Sequence, residues 1–142
     1  MNISAAGLDL IKKHEGLSLV SYQDGGGVWT VGFGHTGSNV YAGQHITQEQ
    51  ADAFLAADMI IAEKCVNNSV RVDMTQNQFD ALCSFTENLG CSALGRSTLL
   101  YRLNGSDDEG AAKEFLKWDH DNGKVVPGLL VRRTDEMNLF LS

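Results

Sequence analysis

The chain has 142 residues, 43% hydrophobic and 20% charged, with 11 Lys and Arg against 18 Asp and Glu for a formal net charge of −7. That length suits one domain with a real core, and an acidic balance argues against nucleic-acid binding and against nonspecific adsorption to polyanions. No apolar run approaches the roughly 20 residues of a membrane span, and MNISAAGLDLIKKHEG lacks the apolar stretch of a signal peptide, so a soluble cytoplasmic product is expected.

The first predicted element is a helix from Ser4, an N-cap candidate, to Glu15, stopped by Gly16. Glu15 therefore stands at the negative end of the helix macrodipole. With apolar neighbours such as Leu17 partly excluding water, both effects disfavour its ionised form, which suits a general acid. A β-hairpin follows within HEGLSLVSYQDGGGVWTVGFGHT, residues 14–36. Asp24 opens the glycine run Gly25 to Gly27, a turn with access to water, where a carboxylate stays ionised. The returning strand, Val28 to Phe33, alternates so that Trp29, Val31 and Phe33 share one face, with Val28 and Thr30 on the other. Thr30 then flanks Asp24, and its hydroxyl is able to hold a water against that carboxylate. Singly, each residue has a plain structural reading: a solvated last-turn acid, a turn former, a strand threonine. Together they set two carboxyls in environments that push their pKa values apart, as a division between acid and base requires.

The segment GFGHTG, Gly32 to Gly37, formally satisfies GxGxxG, but Ser38 and Asn39 follow it where a dinucleotide site needs a helix N-terminus. Its glycines fit a tight hairpin whose backbone closely approaches a bulky ligand. Beyond it, Thr47 with Gln50 and Thr75 with Gln78 are capping-box patterns ahead of apolar periodic runs. The first run carries Ala51, Phe54, Leu55, Asp58, Ile61 and Ala62, and the second carries Phe79, Leu82, Phe85 and Leu89 and stops at Gly90. Further helices are predicted over Ser97 to Leu103, from about Asp107 to Trp118, and from Pro127 to Phe140.

These elements describe an α+β, mostly helical single domain spanning residues 1–142. A β-hairpin lobe occupies about 14–46, a connecting helix about 47–66, and a helical lobe about 70–142 packs with helix 4–15, leaving a cleft between the lobes for an elongated substrate. His35 is expected to be structural, in a partly buried ion pair with Asp58 that ties the lobes together. Cys65, Cys83 and Cys91 cannot all pair; reduced thiols are expected in the cytoplasm, with Cys83 in the core and a Cys65–Cys91 bridge reserved for after export. His14, His35, His45 and His120 lack zinc-site spacing, so no metal is expected.

Glu15, Asp24 and Thr30, with eight and then five residues between them, resemble the catalytic triad of the phage-type lysozymes, glycoside hydrolase family 24. HEG, SYQDGGGVWTVGFGHT, TQNQFDALCSF, NLG, STLL and PGLLVRR resemble that family's successive signatures, in its order, over nearly the whole chain. The resemblance implies a lysozyme-like fold and an endolysin hydrolysing the β-1,4 bond between N-acetylmuramic acid and N-acetylglucosamine in peptidoglycan, without a cofactor. Glu15 would protonate the leaving oxygen, Asp24 would orient or activate water and offset oxocarbenium charge, and Thr30 would position that water. A monomer without stable membrane insertion is implied, held in the host cytoplasm until a separate holin-like protein releases it to the periplasm or cell wall. Asn88, in TENLG, either caps its helix or faces the cleft to bind a sugar N-acetyl group. The chain departs from the family just before it, carrying Glu87 where an aromatic residue is frequent. Arg132 and Arg133 follow the family's paired arginines, with a solvated basic face expected and reach to the acid site by one of them as the alternative. The rival readings are a lytic transglycosylase, in which the muramoyl hydroxyl replaces water, and a catalytically dead wall-binding module.

Overall fold

The protein is described by a computed structural model over residues 1–121 and 123–142. It is mostly helical: α1 (Ala5–Glu15), α2 (Gln48–Ser69), α3 (Gln76–Leu89), α4 (Cys91–Gly95), α5 (Thr98–Asn104), α6 (Asp108–Glu114) and α7 (Pro127–Leu141). Two antiparallel hairpins complete it, β1 (Ser18–Gln23) with β2 (Trp29–Gly32) and the two-residue strands β3 (His120–Asp121) with β4 (Lys124–Val125). The chain forms two compact units, residues 11–61 and residues 1–10 with 62–142.

In the unit of residues 11–61, Gln23 pairs with Trp29 and Tyr22 with Thr30, which fixes a five-residue connection, Asp24 to Val28, between the strands. The register is interrupted between Ser18 and Tyr22, where Ser21 instead donates its N–H to Gln44. Ile11, Val31, Phe33, Val40, Ile46, Ala51, Leu55 and Met59 form the buried apolar set of this unit. The capping box expected at Thr47 is present, Thr47 N–H donating to Gln50 Oε1 at 2.9 Å and Gln50 N–H to Thr47 Oγ1 at 3.1 Å. His35 lies 2.8 Å from Asp58 Oδ2 through Nδ1, and its ring stacks on Phe54 with centroids 4.2 Å apart. The pair is therefore real, but both partners belong to the same unit, so it fastens the segment after β2 to α2 and does not bridge the two units.

In the other unit, α3 starts on the expected capping box of Thr75 and Gln78 and ends where Gly90 donates its N–H to the Thr86 carbonyl. Its buried face, including Phe79, Leu82 and Phe85, packs against α7. Phe85 meets Phe115 and Trp118 edge-to-face with centroids 5.6 and 5.4 Å away, and Phe140 reaches Phe115 at 5.5 Å. The helix expected from Asp107 to Trp118 narrows to a 3-10 turn over Phe115–Lys117. Ser4 caps α1 only weakly, 3.5 Å from the Gly7 N–H, while its hydroxyl donates to the buried Asp80, whose Oδ1 also accepts the Ser4 N–H at 2.9 Å.

The expectation of reduced thiols is corrected. Cys65 of α2 and Cys91, the first residue of α4, are joined in a disulfide, because those two helices bring their Cα atoms to 5.9 Å, within bridging range. Cys83 remains free and buried, its thiol pushed up chiefly by burial. The bridge closes a sequence separation of 26 residues, for which chain entropy gives about 3.5 kcal/mol of stabilisation. Cys91 is exposed, so its substitution leaves no cavity. Cys91→Ser should lower the melting temperature by about 10 °C in non-reducing buffer. Dithiothreitol should reproduce that drop in the parent chain and have no effect on the variant; equal melting of all four samples would show that the bridge does not stabilise.

Candidate active site

Glu15 is the last residue of α1, half-buried, with Gly16 in the left-handed region at φ +70° and donating its N–H to the Lys12 carbonyl at 3.0 Å. The helix therefore stops where the sequence places its stop, and the carboxyl leaves from the final turn. Leu17, expected to keep water away, is itself 43% exposed. What stands against the Glu15 carboxylate is backbone: a Cβ on Gly34 would fall 2.7 Å from Glu15 Oε2. Gly34 has φ +79°, a conformation that favours glycine, and a Cβ there would push the tip of the Glu15 side chain aside. The glycine-rich segment thus makes its close approach to the acid itself. Lys12, one turn back, pairs with Asp52 at 3.1 Å and lies over the Phe33 ring at 5.3 Å, anchoring the end of α1 within this unit.

Asp24 is exposed, and its Oδ1 accepts the N–H groups of Gly26 and Val28, each at 2.9 Å. Thr30 is only 4% exposed, and its hydroxyl donates to the Val28 carbonyl at 3.0 Å. The Asp24 N–H donates to that same carbonyl at 2.9 Å. The backbone of one residue, Val28, thus holds both side chains, Asp24 through its N–H and Thr30 through its C=O. Two consequences follow for their chemistry. Asp24 keeps Oδ2 clear of any hydrogen bond among the described residues, and Thr30, whose proton is committed, offers only lone pairs. The structure so brings Asp24 and Thr30 onto one hairpin, with Glu15 in the same compact unit.

Asn88 does not cap α3, since Gly90 does so through its backbone; its Oδ1 accepts from Arg133 Nη2 at 2.5 Å. The solvated basic face expected for Arg132 and Arg133 is likewise corrected, for they are 4% and 0% exposed. Arg132 Nη2 donates to Glu87 Oε2 at 2.8 Å and to the Ser84 carbonyl at 3.1 Å, and Arg132 Nε lies 3.4 Å from Glu136 Oε2. Arg133 Nε lies 2.9 Å from Glu136 Oε1, close as an ion pair but without hydrogen-bond alignment, while its guanidinium covers the Phe85 ring at 5.4 Å. Ser84 Oγ donates to Glu136 Oε2 at 2.5 Å. Burial pushes the Glu136 carboxyl up, and the two guanidiniums and this hydroxyl push it back.

The model of the phage lysozyme family matches residues 12–136. The chain belongs to the phage lysozyme family. It is 49% identical over 146 residues to an endolysin of Acyrthosiphon pisum secondary endosymbiont phage 1, covering 100% of this chain and 99% of that protein. It is 46% identical to an endolysin of Bacillus phage B103, again over 100% of this chain but 55% of the longer relative. Among solved structures, the muramidase domain of SpmX from Asticaccaulis excentricus superposes with a TM-score of 0.93 at 41% identity, covering 99% of this chain and 98% of that one. As a member of the phage lysozyme family the chain is a glycosidase.

Two features of this candidate site are not singled out by the sequence alone. Gly34 is one of several glycines in GFGHTG, and only the fold shows that it faces the acid. The Val28 backbone contacts leave no trace in the side chain that the sequence records. Gly34→Ala should displace the Glu15 carboxylate and strain the backbone. With Glu15 in the catalytic role that the resemblance implies, the expected loss of lytic rate is about a hundredfold, the effect of an error of about 1 Å in a positioned group. The accompanying stability loss should be about 1–2 kcal/mol. Chemical denaturation together with turbidity clearance separates the two, and a loss of activity no larger than the loss of folded protein would show that Gly34 has only a structural part.

Proposed function

We propose that this chain is an endolysin that hydrolyses the β-1,4 bond between N-acetylmuramic acid and N-acetylglucosamine in peptidoglycan, with Glu15, Asp24 and Thr30 as its catalytic residues. The observation that carries the reading is the pair of bonds to the Val28 backbone, which leaves Asp24 Oδ2 and the lone pairs of Thr30 Oγ1 as two acceptors on one hairpin. A water between two acceptors donates both hydrogens and keeps its own lone pair free to attack the anomeric carbon. Glu15 gives its proton to the leaving glycosidic oxygen as that bond breaks, and Asp24 takes a proton from the incoming water while its charge offsets the oxocarbenium-like transition state. The same pair of acceptors disfavours the lytic transglycosylase reading, in which no water is held. A dead wall-binding module would have no use for it.

Asn88, with Oδ1 fixed by Arg133, has only its amide donors to offer, which suits the carbonyl of a sugar N-acetyl group. We infer a monomer, held in the host cytoplasm until a holin-like partner releases it, and working in the periplasm or cell wall. The Cys65–Cys91 bridge supports the wall side as the place of work, since disulfides persist in oxidising compartments. Among the described residues no helix is long and apolar enough to cross a membrane.

Glu15→Gln keeps the shape of the side chain and removes the transferable proton. It should fold with an unchanged melting temperature yet clear permeabilised cells at least about a thousandfold more slowly. Clearance at the parent rate would remove Glu15 from the mechanism.

Stereochemistry and product mass test the water. A water attacking opposite Glu15 requires the carboxyls about 6.5–9.5 Å apart, as in inverting glycosidases, and should release the α-anomer of a reducing-end muramic acid. Rapid NMR of a fresh digest showing the β-anomer first would make Asp24 a nucleophile. Mass spectrometry showing mainly the 1,6-anhydro product, lighter by one water, would make the enzyme a transglycosylase.

A further inference from the structure

Tyr22 has no part in the acid, the turn or the water, yet the register of the hairpin sets it directly across from Thr30. Residues paired across an antiparallel ladder project from the same face, with Cβ atoms about 5 Å apart. Asp24, two residues on and still held across the hairpin by its N–H to the Val28 carbonyl, continues that face. The ring is therefore a neighbour of both acceptors offered to the water, inside the one compact unit of residues 11–61. Its place is fixed by the contacts that fix them. Gln23 pairs with Trp29 in the next step of the ladder, Gln23 Nε2 donates to the Gly27 carbonyl at 3.3 Å, and the Val28 backbone closes the turn.

An exposed tyrosine is ordinary by itself, and Tyr41 and Tyr101 are more exposed still. What separates Tyr22 is the shape of the sugar that the water must reach. In a β-linked N-acetylmuramic acid every ring substituent is equatorial, so the face opposite the leaving oxygen carries only the axial hydrogens of C1, C3 and C5. A water held by Asp24 and Thr30 attacks C1 on that face. The hydrogens of C3 and C5 then lie toward whatever flanks the water on the hairpin, and a flat apolar ring is the side chain that suits them. Tyr22 is 43% exposed, so its ring has surface to give to a ligand. The negative face of that ring also favours the positive charge that grows at C1 and the ring oxygen in an oxocarbenium-like transition state, so the contact strengthens during the reaction.

We propose that Tyr22 is the platform for the sugar ring that is cut at C1, its aromatic face packed against the C3 and C5 hydrogens of N-acetylmuramic acid. The proposal rests on the peptidoglycan reading above and adds to it a residue that selects for the all-equatorial ring, since an axial substituent at C3 would stand between sugar and platform. Tyr22 binds and orients; no proton passes through it.

The test has a binding arm and a kinetic arm, both on the full chain. The binding arm uses the disaccharide N-acetylglucosaminyl-β-1,4-N-acetylmuramic acid and protein carrying carbon-13 in its tyrosine rings. Saturation of the ring protons should pass to H3 and H5 of the muramic acid more strongly than to H2 and H4, and the Tyr22 ring signals should shift while those of Tyr41 and Tyr101 stay still. Tyr22→Leu should abolish that pattern. On soluble glycan strands, Tyr22→Leu should lower kcat about tenfold per folded molecule and raise KM no more than about twofold, and Tyr22→Phe should recover most of the loss. Thermal melting supplies the folded fraction. Saturation that does not favour H3 and H5, Tyr22 signals unmoved by the disaccharide, or a Tyr22→Leu kcat equal to the parent's would each overturn the platform. So would a Tyr22→Phe variant as slow as Tyr22→Leu, which would place the effect in the phenol hydroxyl. If the parent chain cleaves no glycan, the hydrolase reading falls instead, and the saturation pattern still decides whether Tyr22 holds the sugar.

Discussion

Two arginines inside the unit formed by residues 1–10 and 62–142 set the terms on which α3 and α7 can pack. A buried charge costs several kcal/mol unless it is paired and hydrogen-bonded. Glu136, on the same helix, cannot neutralise both Arg132 and Arg133. Glu87 supplies the second carboxylate, and Ser84 gives its hydroxyl to Glu136 and its carbonyl to Arg132, while Arg133 Nε and Nη1 and Glu136 Oε1 have no hydrogen-bond partner among the described residues. The rotation of α3 against α7 is thereby tied to a polar lattice as well as to Phe79, Leu82 and Phe85. Such a lattice adds little net stability over a hydrophobic core, yet removing one member leaves an uncompensated charge and costs about 3–5 kcal/mol. Its value lies in fixing one arrangement.

That lattice also recasts two residues. An acid at position 87, in place of the aromatic residue frequent in the family, looks unfavourable for a site that meets a polyanionic wall. In the structure its charge is spent on Arg132, so it presents far less field than a free carboxylate. Asn88 follows directly, and its orientation is set by the other arginine. The same two cations thus account for the chain's departure from its family and for the placement of the neighbouring amide.

What the sequence makes legible divides along physical lines. Signals that operate within a few residues are read well: both capping boxes, the glycine stop after Glu15, Pro127 at the start of α7, and the hairpin around Asp24 all stand where the local chemistry places them. His35 and Asp58 are found as a pair because a histidine near an apolar helix needs an acidic partner. Long-range facts escape. α4 is a single turn of five residues with no periodicity to detect, and strands of two residues such as β3 and β4 carry no alternation. The Cys65–Cys91 bridge depends on a distance created by the fold, and an odd cysteine count argues against it. Arg132 and Arg133 read as surface because most arginines are, and only packing reveals otherwise.

The backbone of Val28 carries a different lesson. It receives one proposed catalytic side chain on its N–H and the other on its C=O, while the valine side chain points into solvent at 47% exposure. Any residue that keeps an amide hydrogen can do the same work. Variation at this position among relatives is therefore uninformative about its importance, and a comparison that scores side chains would rate the residue as dispensable. The information is stored in the chain's covalent backbone and in the glycines that let it turn, a part of the molecule on which twenty-letter alphabets are silent.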